Sequence, residues 1–187
     1  SYIDVIESRY NILLLNSVSH PDIAAYKRVV VGNNNYKVDS YNIADFNKDI
    51  ESYQLIVLFG IDVNVNNQLI DDINDSKIPL LIFHLNKLGL KENISTSIQF
   101  KKQGDLDNIF AAADNNFSKF VLSDSLLYLI NGAPPLSALF GDYIFSDNID
   151  LLLVQRLGEY ITNKPIIAIS EEEERKIAYV DAEGFWK

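Results

Sequence analysis

Three short blocks of the chain, NILLL (11–15), LIVLF (55–59) and PLLIF (79–83), are apolar without alternation. Polar residues bound each block, so each is the length of one strand. A strand that buries only one face alternates. A strand covered on both faces does not, and these three therefore predict the interior of a helix-covered sheet. Helical spacing falls between them. In HPDIAAYKRVVVGNNN the positions Ile23, Tyr26 (or Lys27) and Val30 share a face. Pro21 suits the first turn, and Asp22 the positive end, of a helix that Gly32 and the asparagines close. NNQLIDDINDS (66–76) puts Leu69, Ile70 and Ile73 on one side of a second helix. YKVDSYNI (36–43) alternates weakly and predicts a further strand. The order strand, helix, strand, strand, helix, strand is that of a doubly wound parallel sheet.

The second half is less regular. ISTSIQF (94–100) alternates and predicts a strand. DLDNIFAAADNNFSKF and SDSLLYLINGAPP read as short helices or ordered loop, with Phe110, Phe117 and Phe120 facing the core. IDLLLVQRLG (149–158), KPIIAIS (164–170) and RKIAYVDA (175–182) predict three strands. GEYITNKP (158–165) reads as the turn between two of them. Two of the joins suit hairpins, so antiparallel edge strands are expected toward the C-terminus. The expected fold class is α/β: three layers, doubly wound, mainly parallel, flavodoxin-like or amidotransferase-like. One domain over 1–187 with a lead-in at 1–8 is expected for 187 residues, a length that buries roughly 70% of the surface of the unfolded chain. The absence of methionine and the abrupt GFWK ending suggest a piece of a longer protein.

Composition narrows the chemistry. The chain has no cysteine, which excludes disulfides, thiolate metal sites and a cysteine nucleophile. A net charge of −10 repels nucleic-acid backbones and anionic membrane surfaces. The longest apolar runs are too short to span a bilayer. Glu171–Glu174 reads as a solvated loop.

In open α/β sheets, ligands lie beyond the carboxyl ends of the strands. That rule selects Asn16–Pro21, Gly60–Asn64, His84–Lys87 and Ser170–Glu174. His84 stands at the end of a core strand, where an imidazole can act as base or ligand. Its surroundings, FHLNKLG, offer no serine elbow and no small neighbour. His20 lies in NSVSHPD, with Ser17, Ser19 and Asp22 around it. That pattern serves a helix cap better than a triad, whose members meet through the fold. No glycine-rich phosphate loop follows any strand, so no dinucleotide cofactor is expected. The two histidines are far apart, and Asp62, Asp71, Asp72 and Asp75 fit a solvated helix face and its lead-in better than an oxygen-ligand metal site. Neither a metal nor a cofactor is expected.

The segments NILLLNSVSHPDIAAYKRVV, YQLIVLFG, IPLLIFHLN, NNFSKFVLSD, GAPPLSALFGDY, LLLVQRLG, KPIIAIS and AEGFWK, in that order, carry a family resemblance. Together they resemble the class I glutamine amidotransferase-like domain of large membrane-anchored proteins of Gram-negative bacteria, whose N-terminal region is of aerotolerance type. The resemblance covers Tyr10–Lys187. AEGFWK is similar to the Gly-Glu-Gly-hydrophobic-Trp pattern that closes such domains. Amidotransferase-like folds carry a cysteine on the elbow after a central strand and a later His-x-Glu pair. Here His84 falls in the elbow's neighbourhood, and no histidine follows it. The resemblance therefore implies the fold without the reaction. It implies a non-catalytic scaffold or interaction domain, extracytoplasmic (periplasmic), whose partners are other domains of its parent or other proteins. Two alternatives remain open. One is a small-ligand binding domain with a site at Ser17, Ser19, His20, Asp62 and His84. The other is a hydrolase using His84.

Overall fold

The computed structural model describes residues 9–61, 65–83, 98–102, 105–146, 148–172 and 174–187. A nine-stranded sheet has the order β2-β1-β3-β4-β11-β10-β9-β6-β7. Its first half is built from β1 (Tyr10–Asn16), β2 (Tyr36–Asn42), β3 (Leu55–Phe59), β4 (Leu80–Phe83) and β11 (Arg175–Val180). These five strands run parallel. The other half adds β6 (Leu106–Ala113), β7 (Leu136–Leu139), β9 (Ile149–Leu157) and β10 (Tyr160–Glu172), all in antiparallel pairings. Two further strands, β5 (Ile98–Lys102) and β8 (Asp142–Phe145), form a separate antiparallel pair.

The three apolar blocks are side-by-side strands, as their pattern predicts. Even positions of β1, Ile12 and Leu14, join Val57, Phe59, Phe83 and Val180 in one core cluster. Helix α1 (Pro21–Val31) covers it with Ile23, Tyr26 and Val30. Odd positions, Leu13 and Leu15, join Ile56, Leu58, Leu80 and Ile82 on the opposite face. There α2 (Asn67–Asp75) contributes Leu69, Ile70 and Ile73. The apolar runs lack alternation because both of their faces are inside.

The sheet is mixed rather than mainly parallel. Four of its eight strand pairings are antiparallel, and they reach from β11 to the β7 edge. Only three α-helices occur among the described residues: α1, α2 and α3 (Asp124–Gly132). Part of the second face is covered by the β5–β8 pair, whose Ile98, Tyr143 and Phe145 pack where a doubly wound fold would place a helix. The expected three helix-covered layers are thus incomplete.

Other local expectations are corrected. Residues 106–113 form β6, not a helix, because strand β9 offers Phe110–Ala113 an antiparallel partner. Phe110 and Phe120 are exposed, and Phe117 meets Phe120 edge-on in the loop after β6. The turn expected over 158–165 is confined to Gly158 and Glu159, since β10 begins at Tyr160. Glu171 and Glu172 belong to the end of β10 and pair with β11. Of the strand expected over 94–100, Ile98 onward is β5, and residues 94–97 lie outside the described set. The expected lead-in, 1–8, lies outside it too.

The β9–β10 ladder is irregular, with register shifts between Pro165 and Ala168. An extra residue in one strand turns the following side chains to the other face. Leu151 accordingly packs in the α2-side core, while Leu153 packs with Ile109, Ile166 and Ala182 beneath α3. No helix among the described residues is long and apolar enough to cross a membrane.

Candidate functional site

Strand order turns at β1, which has β2 on one side and β3 on the other. The crevice above the carboxyl ends of β1 and β3 is the place where such a sheet can admit a ligand. Three sequence-selected residues stand there: Ser17, Ser19 and His20, in the loop from β1 to α1. The other two, Asp62 and His84, lie outside the described residues.

His20 is the N-cap of α1. Its backbone is extended, and its Nδ1 accepts the Asp22 N–H at 3.2 Å. A ring nitrogen that accepts there carries no proton, so the neutral imidazole carries its proton on Nε2. Nε2 faces Glu183 Oε2 at 3.6 Å. Ser19 is exposed and Ser17 half-buried beside it. Asn16 closes the loop by donating its side-chain N–H to the Val18 carbonyl at 3.0 Å. At the neighbouring strand end, Gly60 takes φ +51°, a left-handed turn that glycine adopts without a Cβ penalty.

The most buried polar group at this edge is Asp22, 1% exposed. Its two carboxylate oxygens accept the backbone N–H groups of Gly184 and Trp186, each at 2.8 Å. The chain end is thereby latched across the start of α1, 162 residues away in sequence. Gly184 takes φ +105°, which folds the tail back so that both amides converge on one carboxylate. Glu183 adds a two-way backbone bridge to Ser137 of β7. The AEGFWK segment therefore ties the parallel half of the sheet to its antiparallel edge.

A second polar cluster lies just past β11. Asp181 is buried, and its N–H donates to the Ile166 carbonyl at 2.9 Å. Burial pushes the Tyr143 phenol upward, and the negative charge of Asp181 pushes it further the same way. Fully buried Gln155 donates from Nε2 to the Leu139 and Pro165 carbonyls, both at 3.4 Å. At the opposite end of β11, Arg175 is buried. Its guanidinium donates to the Ile73 and Ser76 carbonyls at 2.8 and 3.3 Å, closing the C-terminus of α2.

The arrangement at the β1–β3 crevice places the His20 ring 3.6 Å from the Glu183 carboxylate. It brings Ser17, Ser19 and His20 together in one loop, and spends one face of His20 on the helix. Sequence reasoning missed the roles of Glu183, Asp181 and Gln155, and gave Asp22 only its favourable place in a helix first turn. The one available signal was the glycine in AEGFWK. No group of three His, Cys, Asp or Glu residues that could hold a metal ion occurs among the described residues.

No protein-family model and no curated protein matches the sequence. Solved structures do match its fold. A glutamine amidotransferase from Thermotoga maritima is 14% identical with a TM-score of 0.51, over 94% of this chain and 76% of that one. A Thermoplasma acidophilum protein described as a GMP synthase subunit is 10% identical with a TM-score of 0.55, over 93% of this chain and 83% of that one. The cold-adapted β-galactosidase from Rahnella sp. R3 is 11% identical with a TM-score of 0.60, over 95% of this chain. This chain spans only 29% of that enzyme. The mixed α/β sheet thus has an amidotransferase-like fold, one that also occurs as part of much longer chains.

Proposed function

We propose that this chain is a non-catalytic, amidotransferase-like scaffold or interaction domain. The observation that carries this reading is an amidotransferase-like fold in a chain without a single cysteine. Acyl transfer from glutamine through a covalent intermediate needs an activated nucleophile with a base beside it. Of the two histidines, His20 has its Nδ1 committed to capping α1. A like fold filling 29% of a longer enzyme supports the role of one module among several. The membrane-anchored parent and the periplasmic location belong to the same proposal, and rest on the segment order from Tyr10 to Lys187.

The test is incubation of the pure chain with a panel of amide, ester and phosphate substrates. The expected result is no turnover above buffer. Turnover that disappears in His84→Ala would overturn the reading in favour of a hydrolase.

A further inference from the structure

Helix α3 carries the run Leu-Leu-Tyr-Leu-Ile at 126–130. Successive helical residues turn by about 100°, so five in a row go right round the helix. A helix that is apolar all round is ordinarily buried all round. The Ile130 side of α3 does pack on the core cluster of Ile109 and Leu136, yet no residue of α3 is buried. Tyr128 is 80% exposed and Leu129 66% exposed, with Leu126 exposed beside Leu129. Just before the N-cap Ser123, Phe120 is half exposed and Val121 is 95% exposed.

The outward face of α3 is built to meet its own copy. Ser125 and Gly132 are seven residues apart and share the outermost line of the helix. Both are exposed, and a Cβ at Gly132 would meet nothing within 4 Å. Tyr128 and Leu129 flank that line, one on each side. This pattern is symmetric about the midpoint between Tyr128 and Leu129. An antiparallel pair of α3 helices therefore sets Ser125 of one copy against Gly132 of the other, and residues this small let the two axes approach. Across the two-fold axis, Leu129 of one copy meets Leu129 of the other, and Tyr128 meets Tyr128. That is the self-matching an isologous contact requires.

Charge and area agree with that partner. From Phe120 to Gly141 the sequence holds one charged residue, Asp124, in a chain of net charge −10. Two copies of so acidic a chain repel wherever their carboxylates meet, and this stretch has almost none. Few charges together with exposed aromatic side chains is the composition of an interface centre. At their exposures, Phe120, Val121, Leu126, Tyr128 and Leu129 present about 500 Å² of apolar surface. Homodimer interfaces are about 65% apolar, so the whole face comes to about 800 Å² per copy. That is the standard size of a stable interface. We propose that α3 is a self-association face, on which two copies of this chain pair antiparallel about a two-fold axis. This goes beyond the scaffold reading and is separable from it, because a monomeric chain would still show no turnover.

The test is sedimentation equilibrium of the whole chain from about 1 to 100 µM, which spans the weak end for interfaces of this size. The expected result is a reversible monomer–dimer equilibrium that stops at two copies, since an isologous face closes on itself. Leu129→Glu and Leu129→Lys should each raise the dissociation constant about hundredfold or more, because the two-fold axis sets like charges together. An equimolar mixture of the two variants should associate at least about tenfold more tightly than either alone, because unlike charges then meet. Val29→Glu, at a valine 75% exposed on α1, should leave the equilibrium unchanged. These positions are exposed, and unfolding curves that superimpose on the wild type confirm that the variants fold. Tyr128→Glu and Tyr128→Lys serve as a second pair should either Leu129 variant fail to fold. A chain that stays monomeric throughout the range overturns the proposal, as does assembly past two copies. A dimer that neither variant of the pair weakens, a mixture no tighter than its parts, or a dimer weakened as much by Val29→Glu overturns it equally.

Discussion

The Asp22 latch supplies a sharp test of how the chain end is held. Asp22→Ala removes a buried carboxylate and leaves two N–H groups, of Gly184 and Trp186, without their acceptor. A hydrogen bond to a charged partner contributes about 1.5–3 kcal/mol. Two such bonds set a ceiling of about 3–6 kcal/mol. Undocking of the tail rehydrates the freed amides and trims the loss to about 2–4 kcal/mol. Asp22 also lies in the first turn of α1, but its interaction with the helix dipole is worth only about 0.3–1 kcal/mol. The size of the loss therefore separates a latch from a merely well-placed charge. Urea unfolding with linear extrapolation measures it. For a domain of this length, the thermal midpoint should fall by roughly 4–16 °C. Trp186 is the single tryptophan, so its fluorescence anisotropy reports the tail directly. Anisotropy should drop in Asp22→Ala before any global unfolding. Asp22→Asn should lose nearly as much, because its NH₂ faces one of the two donors. A loss below about 0.5 kcal/mol with unchanged anisotropy would refute the latch, since even one broken charged bond exceeds that figure.

Other consequences can be measured with the same curves. Gly184→Ala should cost about 1–3 kcal/mol, because φ +105° is strained for any side chain and the new Cβ would meet Lys187 Cε at 3.2 Å. Phe59, fully buried and stacked on Phe83 at 3.8 Å between centroids, should cost about 3–5 kcal/mol as Phe59→Ala. Arg175→Met should cost about 1–3 kcal/mol by leaving the Ile73 and Ser76 carbonyls uncapped, and amide exchange should rise first in the last turn of α2. The Tyr26 phenol is pushed up to about 12, chiefly by burial and secondarily by Tyr36. In the unfolded chain it ionises near 10, so the unfolded state gains above that pH while the folded state does not. Its contribution is full below pH 10 and is lost between about pH 10 and 12, and this part of the alkaline stability loss should be absent in Tyr26→Phe.

The sequence by itself determined strands β1 to β4 of the parallel half, whereas β11, expected among antiparallel edge strands, lies inside the sheet and runs parallel to β4. Runs such as ILLL and LIVLF state their own burial, because a strand covered on both faces has no polar side to show. Helical spacing in Ile23, Tyr26 and Val30, and in Leu69, Ile70 and Ile73, names the faces that cover those strands. His20 before Pro21 carries its capping role in the same local way. Glutamine-amidotransferase likeness was legible too, as an order of segments. The tertiary structure alone decided the rest. Residues 106–113 carry no clean period, and they are a strand because β9 lies alongside to pair with them. Phe110 looked like core and is surface for the same reason. Asp22 and Trp186, or Lys164 and Gly141, are joined across distances at which local pattern carries no information. A hydrogen bond needs both partners in place, and only the folded chain brings these together.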